Sequence, residues 1–203
     1  MGDVSSELSS THHKRRWYTH ANKTYKKRAR KTRGHEMPRQ KQTQALLIRP
    51  IKPKRDRKAL VRVAKGLPEW FDHEDIDEIE EDLLGDDGFV AEWERQRVGC
   101  VTVGIPAEVP APQRAEITWL FVERGMHGKG VGKALLAAAE AFVLQKLGEG
   151  AELMVWTLAD EAEPACYAST RAFYRGQGFQ DWYVDRSDLQ IWKYPRLFMK
   201  KML

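Results

Sequence analysis

The chain has 203 residues, and its 34 Lys and Arg against 29 Asp and Glu give a formal net charge of +5 at pH 7. No uninterrupted apolar run reaches the roughly 18 residues that a transmembrane helix needs, and no apolar segment typical of a secretory signal follows the N-terminus. The two cysteines, Cys100 and Cys166, are too few for a disulfide framework and lack metal-ligand spacing. These features predict a cytoplasmic protein that neither contacts a membrane nor binds a metal.

The charge is distributed unevenly along the chain. Residues 1–58 contain 18 basic and 4 acidic residues, a net charge of +14, whereas the remainder contains 16 basic and 25 acidic residues, a net charge of −9. Residues 1–43 have almost no aliphatic side chains after Leu8, so little apolar surface offsets the entropy lost on ordering. We therefore predict a disordered basic tail over 1–43 and a folded domain over 44–203.

The predicted tail combines basic charge with aromatic side chains. Residues 12–33 include Trp17, Tyr18 and Tyr25 among many Lys and Arg. Basic side chains with interleaved aromatic rings suit contact with a nucleic-acid backbone and stacking on bases. A solvated extension without a partner would have the same composition, so both interpretations stay open.

The first part of the predicted domain contains one strand and two helices. An apolar run over 45–51, interrupted by prolines, is typical of a short strand. The spacing of apolar residues predicts helices over 55–66 and 68–84. Residues 69–87 hold eleven acidic residues and no Lys or Arg.

Strands and helices follow in the rest of the domain, with a tight hairpin turn expected at Arg95-Gln96. The order over the whole domain is β-α-α-β-β-β-α-β-α-β-β, which predicts an α/β protein. The later predicted elements are strands over 88–94, 97–105 and 115–122, a helix from about 131, a strand over 151–159, a helix over 163–178, and strands over 179–185 and 196–203.

The strongest chemical signal lies in the stretch 115–136. A strand rich in β-branched and aromatic residues ends in a turn with three glycines between 128 and 132, and an apolar helix follows. Unpaired backbone N–H groups at a helix N-terminus favour an anion, so this turn suits a phosphate. A dinucleotide fingerprint fits poorly because three strands come first, and a P-loop fails because Ala134 follows Gly132-Lys133 in place of Ser or Thr.

Two segments carry a family resemblance. His127–Gly132 matches a Q/R-x-x-G-x-G/A motif, and Ala172–Phe179 matches a late helix that ends in Tyr-x-x-x-Gly-Phe. Together with the element order, these motifs resemble the GNAT family of acetyl-CoA-dependent N-acetyltransferases over residues 45–203. The resemblance implies a mixed central sheet whose fourth and fifth strands splay apart, and acetyl-CoA as the cofactor.

The resemblance also implies which residues bind the cofactor. The backbone of the glycine turn would hold the pyrophosphate, and the main chain of the fourth strand would bond the pantetheine arm. The amide of Leu120 would polarise the thioester carbonyl, an oxyanion-hole role. The implied cofactor-binding residues are Leu120, Phe121, Val122, His127, Gly128, Lys129, Gly130, Val131, Gly132, Lys133 and Tyr167.

Two of these positions depart from the family pattern. His127 stands where Gln or Arg is usual, and Tyr167 stands seven residues before Tyr174, where many members carry a cofactor-contacting Asn. We expect both departures to lower cofactor affinity without abolishing recognition by the backbone.

Glu116 and Tyr174 are the catalytic residues that the resemblance implies. Glu116 lies eleven residues before His127, which is the spacing of the general base in the histone-acetyltransferase branch. Tyr174 matches the tyrosine that protonates the sulfur of coenzyme A. Direct attack of an amine on a thioester needs both a neutral amine and a protonated leaving thiolate. Glu116 would equally fit a surface acid at a strand end, and Tyr174 a core aromatic residue.

The sequence does not name the acceptor. The acid-rich segment 69–87, with Trp70 and Phe71 beside it, falls where the family forms much of its acceptor pocket, and a negative mouth would concentrate cationic amines. A solvated helix face would have the same composition. We expect an N-acetyltransferase that acts on a small cationic amine. The alternatives are a protein or peptide N-acetyltransferase docked on RNA or the ribosome by its tail, and a non-catalytic acyl-CoA-binding protein; a homodimer is also considered.

Overall fold

The structure of the protein is a computed structural model, and it describes residues 46–85, 87–106, 113–161, 165–187, 189 and 193–203. All of them belong to one unit that spans Lys41–Leu203. The predicted tail, 1–43, and its candidate nucleic-acid segment, 12–33, lie outside the described residues. Both predictions therefore stay predictions.

The elements within the described ranges follow one another in the predicted order, with a short 3₁₀-helix at Arg124–Met126. No helix in these ranges is long and apolar enough to cross a membrane. The elements are β1 (Leu47–Pro50), α1 (Pro53–Lys65), α2 (His73–Gly85), β2 (Asp87–Trp93), β3 (Gln96–Gly104), β4 (Arg114–Val122), α3 (Val131–Leu147), β5 (Glu152–Leu158), α4 (Cys166–Gly176), β6 (Gln180–Asp185) and β7 (Arg196–Met202).

The strands form one mixed sheet in the order β1-β2-β3-β4-β5-β7-β6. Neighbouring strands are antiparallel except β4 and β5, which run parallel. The pairing of β4 with β5 covers only Arg114, Ala115 and Glu116, although both strands continue beyond it. The two strands therefore diverge after Glu116, which confirms the predicted splay and the predicted α/β fold.

Helices cover both faces of this sheet. One core cluster joins α3 to the sheet and includes Leu135, whereas the other joins α1 and α2 to the opposite face and includes Leu60 and Ile79. Successive side chains of a strand point to opposite faces, so Val90 belongs to the α1–α2 cluster and Ala91 to the α3 cluster. The sheet therefore forms the middle of three layers.

The start of α2 differs from the sequence prediction. The predicted helix from Pro68 begins only at His73. Asp72 Oδ1 accepts the backbone N–H of Asp75 at 3.1 Å, and Asp75 Oδ2 accepts the backbone N–H of Asp72 at 2.9 Å. This reciprocal capping box starts the helix after Asp72 and leaves 68–72 as an irregular link between α1 and α2.

The hairpin turn between β2 and β3 lies one residue earlier than predicted. Glu94 and Arg95 occupy it with φ angles of 49° and 68°, and Gln96 already begins β3. Two successive positive φ angles match the twist of a tight hairpin. The predicted position at Arg95-Gln96 was wrong. Residues other than glycine rarely adopt positive φ angles, so neither Glu94 nor Arg95 indicated the turn.

Buried charges meet at the start of α1. Asp56 is fully buried and accepts hydrogen bonds from both terminal nitrogens of Arg49, at 2.7 and 2.9 Å. It also accepts bonds from Arg97 Nε at 3.0 Å and from the backbone N–H of Lys52 at 2.9 Å. Arg49 donates further to Glu92 at 2.9 Å. Burial acts to raise the pKa of Asp56, but these hydrogen bonds outweigh burial and hold the pKa well below its usual range. We refer to these five residues as the Asp56 cluster.

Candidate active site

The divergence of β4 and β5 opens a cavity of about 530 Å³. Its walls come from the α1–α2 link, β4, the glycine turn, β5 and α4. Of the predicted site residues, Glu116 and Lys129 do not line the cavity. Those that do are Leu120, Phe121, Val122, His127, Gly128, Gly130, Val131, Gly132, Lys133, Tyr167 and Tyr174.

The glycine turn has the backbone shape that a phosphate cradle requires. Gly128 and Gly130 have φ angles of +73° and +80°, which favour glycine, and Gly130 is the N-cap of α3. A Cβ at either position would meet no described atom within 4 Å, so both face open space. Gly132 differs, because its Cβ would lie 3.5 Å from the ring of Phe173. The turn therefore presents backbone and an α-helix N-terminus to the cavity, and it fits the diphosphate of a nucleotide cofactor.

The two lysines of the turn have different surroundings. Lys133 lines the cavity in the first turn of α3, whereas the Nζ of Lys129 lies 3.8 Å from Met126 Sδ and outside the cavity lining. Of the two, Lys133 is therefore the better placed to face an anion there.

His127 connects the turn to the end of β4. Its Nε2 lies 2.7 Å from the carbonyl oxygen of Val122. A carbonyl oxygen accepts only, so this ring nitrogen carries the hydrogen. The ring also meets the edge of Trp70, with centroids 5.8 Å apart. The histidine thus uses its side chain to hold the strand, the turn and the α1–α2 link together.

Tyr174 lies deep in the cavity wall. It is 4 % exposed and makes T-shaped contacts with Phe173 and Phe179, with centroids 5.3 Å apart in each pair. Its hydroxyl makes no hydrogen bond to a described residue. Burial raises the pKa of Tyr174 well above its usual range, so the phenol stays protonated at neutral pH and can donate.

Glu116 lies at the point where the strands part. It pairs with Gly104 on β3 and with Met154 on β5, and it is the last residue of β4 to pair with β5. It is half-buried and does not line the cavity. Burial and the charge of Asp185 raise the pKa of Tyr183 on β6, and the charge of Glu116 adds a smaller contribution in the same direction. The structure therefore separates Glu116 from the cavity that holds Tyr174.

Tyr167 bonds the helix α4 to the α1–α2 link. Its hydroxyl donates to the carbonyl oxygen of Trp70 at 2.8 Å, and burial raises its pKa above the usual range. Two further bonds join the same segments, from Trp70 Nε1 to Thr170 Oγ1 at 3.3 Å and from Cys166 Sγ to the carbonyl of Glu69 at 3.1 Å. This contact spans about a hundred residues of sequence and was not predicted.

One part of the cavity wall is aromatic and carries a carboxylate. Trp70, Phe71 and Asp75 all line it. The ring of Phe71 packs edge-on against Trp119 and Phe121, with centroids 6.0 and 5.7 Å apart. Burial raises the pKa of Asp75, which indicates a carboxylate partly removed from water. The acid-rich composition of 69–87 did not distinguish Asp75 from its ten acidic neighbours.

Thr157 on β5 is a second cavity residue that the sequence analysis missed. It is 3 % exposed, and its Oγ1 has no hydrogen-bond partner among the described residues. The only signal was a hydroxyl in a strand that is apolar after Glu152.

Across the described ranges, this cavity included, no group of three or more His, Cys, Asp or Glu residues could hold a metal ion.

Comparison with solved structures finds the same fold. A protein assigned to the GNAT family from Desulfovibrio desulfuricans is 21% identical, with a TM-score of 0.66 over 78% of this chain and 99% of that chain. Ribosomal-protein-alanine N-acetyltransferase from Brucella melitensis is 24% identical, with a TM-score of 0.55 over 77% and 99%. PaiA N-acetyltransferase from Thermoplasma acidophilum, in complex with coenzyme A, is 19% identical, with a TM-score of 0.57 over 78% and 99%.

Sequence comparison gives the family. No curated protein matches the chain. Residues 58–179, more than half of the 203, match the model of the acetyltransferase (GNAT) family. This match confirms the predicted class of enzyme, an N-acetyltransferase, and acetyl-CoA as its expected acyl donor. The chain belongs to the acetyltransferase (GNAT) family.

Proposed function

We propose that this chain acetylates the primary amine of a small cationic molecule by direct attack of the amine on acetyl-CoA. One observation carries the proposal: the glycine turn and the aromatic residues with Asp75 line the same cavity. The turn suits the anionic part of the donor, and the wall with Asp75 suits a cation. A single cavity that has both features favours transfer between an anionic donor and a cationic acceptor.

We assign the donor half of the cavity to the glycine turn and to β4. Backbone N–H groups from Gly128 to Lys133 would hold the pyrophosphate. The β4 residues Leu120, Phe121 and Val122 would bond the pantetheine arm, because β5 no longer pairs with β4 at their level. The amide of Leu120 would polarise the thioester carbonyl.

Tyr174 is the proposed acid. Acetyl-CoA supplies the acetyl group, and its sulfur must receive a proton as the thiol leaves. The Tyr174 hydroxyl lines the cavity, has no described hydrogen-bond partner, and has a pKa raised by burial. A phenol that stays protonated and unpartnered is suited to donate to the sulfur.

Glu116 remains the proposed base, acting on the amine through water. Its position outside the cavity lining favours a relay over direct contact. Glu116→Gln would then lower kcat/KM at neutral pH by about 100-fold, the lower end of general-base effects. The loss should shrink at higher pH, where more of the amine is neutral, and a loss independent of pH would contradict the assignment.

A screen of acceptors tests the proposed function. The purified chain, with acetyl-CoA, is offered polyamines, aminoglycosides, amino acids and peptides, and the free thiol of coenzyme A is measured. We expect the highest kcat/KM with a multiply charged small amine. No thiol release above background with any acceptor would contradict the proposal.

Asp75→Asn tests the proposed cation-binding part of the cavity, and Asp77→Asn is its matched control. Asn keeps the capping oxygen of Asp75 but removes the charge, so KM for the cationic acceptor should rise about tenfold, consistent with one lost charged hydrogen bond. Asp77 is exposed on the same helix and does not line the cavity. Equal KM values for the two variants would show that the acidic face only carries solvated charge.

A second candidate is a protein or peptide N-acetyltransferase that docks on RNA or the ribosome through residues 12–33. The net charge of +14 over residues 1–58 favours it, and a ribosomal-protein acetyltransferase shares the fold. Salt-dependent RNA binding that disappears when residues 1–43 are deleted, with peptides as the best acceptors in the screen, would favour this candidate. Light scattering of the purified chain tests the homodimer considered from the sequence, and the mass of a monomer would contradict it.

A further inference from the structure

An unpartnered hydroxyl lies in the wall of the cavity. Thr157 is 3 % exposed, and its Oγ1 has no hydrogen-bond partner in the described part of the chain. Leu153 and Val155 precede it at alternate positions of β5 and belong to the core cluster with α3. A valine at 157 would have almost the same shape and no unsatisfied group. Buried polar groups are nearly always bonded, so this hydroxyl points to a ligand that supplies the partner. The oxygen itself has almost no accessible surface, so it meets a ligand only when the side chain turns about χ1 toward the cavity that Thr157 lines.

The sheet register places Thr157 near the reacting end of the proposed donor site. The last β4–β5 pair is Glu116 with Met154. Thr157 comes three residues after Met154, about 10 Å along β5. On β4 a bulge inserts one extra residue between Ile117 and Trp119, so three ladder steps beyond Glu116 lead to Leu120. Thr157 therefore lies across the split about level with Leu120, whose amide we assign to the thioester.

A second hydroxyl shares these properties. Tyr174 lines the same cavity, is 4 % exposed, and also lacks a hydrogen-bond partner among the described residues. Two hydroxyls without described partners therefore belong to the β5–α4 wall of one cavity, and only that of Thr157 is a fully buried atom. Such a wall suits a chain with a few polar atoms and a terminal sulfur.

We infer that the Thr157 hydroxyl hydrogen-bonds the pantetheine arm of coenzyme A close to its thiol end. Thr157 is thereby a binding residue of the donor site on β5, opposite the main-chain contacts of β4. The inference rests on the proposed donor site. It predicts a residue whose hydroxyl is unfavourable in the free protein and favourable in the complex.

Three variants test these opposite effects in the ligand-free protein. Thr157→Val removes only the hydroxyl, Thr157→Ser keeps it, and Thr102→Val is the matched control. Thr102 is also a fully buried threonine of the sheet, but its hydroxyl accepts the N–H of Trp119 at 3.0 Å. Thr157→Val should unfold thermally at or above the wild-type temperature, whereas Thr102→Val should unfold several degrees lower. A midpoint for Thr157→Val several degrees below wild type would mean that the hydroxyl has a structural partner, and would overturn the inference.

Calorimetric titration then separates the two halves of the ligand. Coenzyme A contains the pantetheine arm, and ADP contains the diphosphate without the arm. Thr157→Val should bind coenzyme A about tenfold more weakly than wild type, with Thr157→Ser close to wild type and ADP affinity unchanged in both. Equal affinities of Thr157→Val and wild type for coenzyme A would overturn this inference alone. Weaker binding of ADP as well would place the effect at the turn and also overturn it. A wild-type chain that binds neither probe would contradict the donor site itself, and this inference with it.

Discussion

The Asp56 cluster and the cavity between β4 and β5 both place polar groups away from water, but they do so in opposite ways. In the cluster, the Asp56 carboxylate has four donors, and Arg49 has a second carboxylate at Glu92. In the cavity, the hydroxyls of Thr157 and Tyr174 have no donor or acceptor among the described residues. The first arrangement is complete within the fold, and the second is completed only by something that binds.

The comparison distinguishes two kinds of buried polar group. Those of the Asp56 cluster stabilise the fold, and those of the cavity are available to a ligand. Removing one member of a complete cluster leaves charges buried without partners, which is strongly unfavourable. Removing an unpartnered hydroxyl leaves nothing unsatisfied, so the free protein loses little or gains stability. We therefore expect substitutions in the cluster to change stability and substitutions in the cavity to change binding or turnover.

The largest expected effect is on stability, at Asp56. Asp56→Asn leaves Arg49 and Arg97 without a buried carboxylate, and should lower the free energy of unfolding by about 3–5 kcal/mol. Urea unfolding followed by circular dichroism measures it. Asp87→Asn is the control, because Asp87 is exposed at the start of β2. A loss no larger than that of the control would contradict the claim that the Asp56 cluster stabilises the fold.

The same carboxylate predicts a pH dependence. The pKa of Asp56 is lowered in the folded chain, so its contribution is fully present above the unfolded value of about 3.9 and is lost as the pH falls through the lower folded pKa. Wild type should therefore lose more stability than Asp56→Asn below about pH 4. Parallel stability curves for the two proteins in this range would contradict the assignment.

The sequence predicted those features of the cavity that depend on residues close together in the chain. Glycines at 128 and 130 predicted a turn because their φ angles exclude most side chains, and periodicity predicted the order of strands and helices. The parting of β4 from β5 came from the family motifs, since no local pattern marks the end of pairing at Glu116. Whether Thr157 has a partner depends on side chains distant in sequence, and a single strand cannot reveal it.

Contacts between distant segments account for most of what sequence missed. Tyr167, a residue of the cavity wall, also donates to the carbonyl of Trp70, 97 residues away, and this contact could not be predicted from the sequence. Asp75 differs from the other acidic residues of 69–87 because its carboxylate belongs to the capping box and bonds the backbone of the α1–α2 link. Both depend on where α2 starts, which its acidic composition did not fix.

The next largest effect is on turnover, at Tyr174. Tyr174→Phe removes the proposed acid and should lower kcat by about 1000-fold, within the range of general acid catalysis. Because the hydroxyl has no described partner, the thermal midpoint should stay at or above that of wild type. Initial rates from thiol release and a thermal scan measure both. Wild-type stability and wild-type kcat would show that Tyr174 is only a core residue. A loss of stability would show that its hydroxyl, like the groups of the Asp56 cluster, has a partner within the fold.

The smallest expected change in stability is at Gly130. This variant tests whether the glycine turn contributes to folding, to ligand binding, or to both. Gly130→Ala places an alanine at a φ of +80°, which lowers the free energy of unfolding by about 1–2 kcal/mol. The added methyl group meets no described atom within 4 Å. Gly125→Ala is the matched control, since Gly125 lies five residues earlier in the 3₁₀-helix, without a positive φ and with the same open surroundings. Urea unfolding should therefore show a modest loss for Gly130→Ala and almost none for the control. Because Gly130 lines the cavity at the turn to which we assign the pyrophosphate, Gly130→Ala should also weaken ADP and coenzyme A alike. That equal loss is the opposite of the pattern expected for Thr157→Val, so a preferential loss of coenzyme A would contradict the placement of the pyrophosphate at this turn.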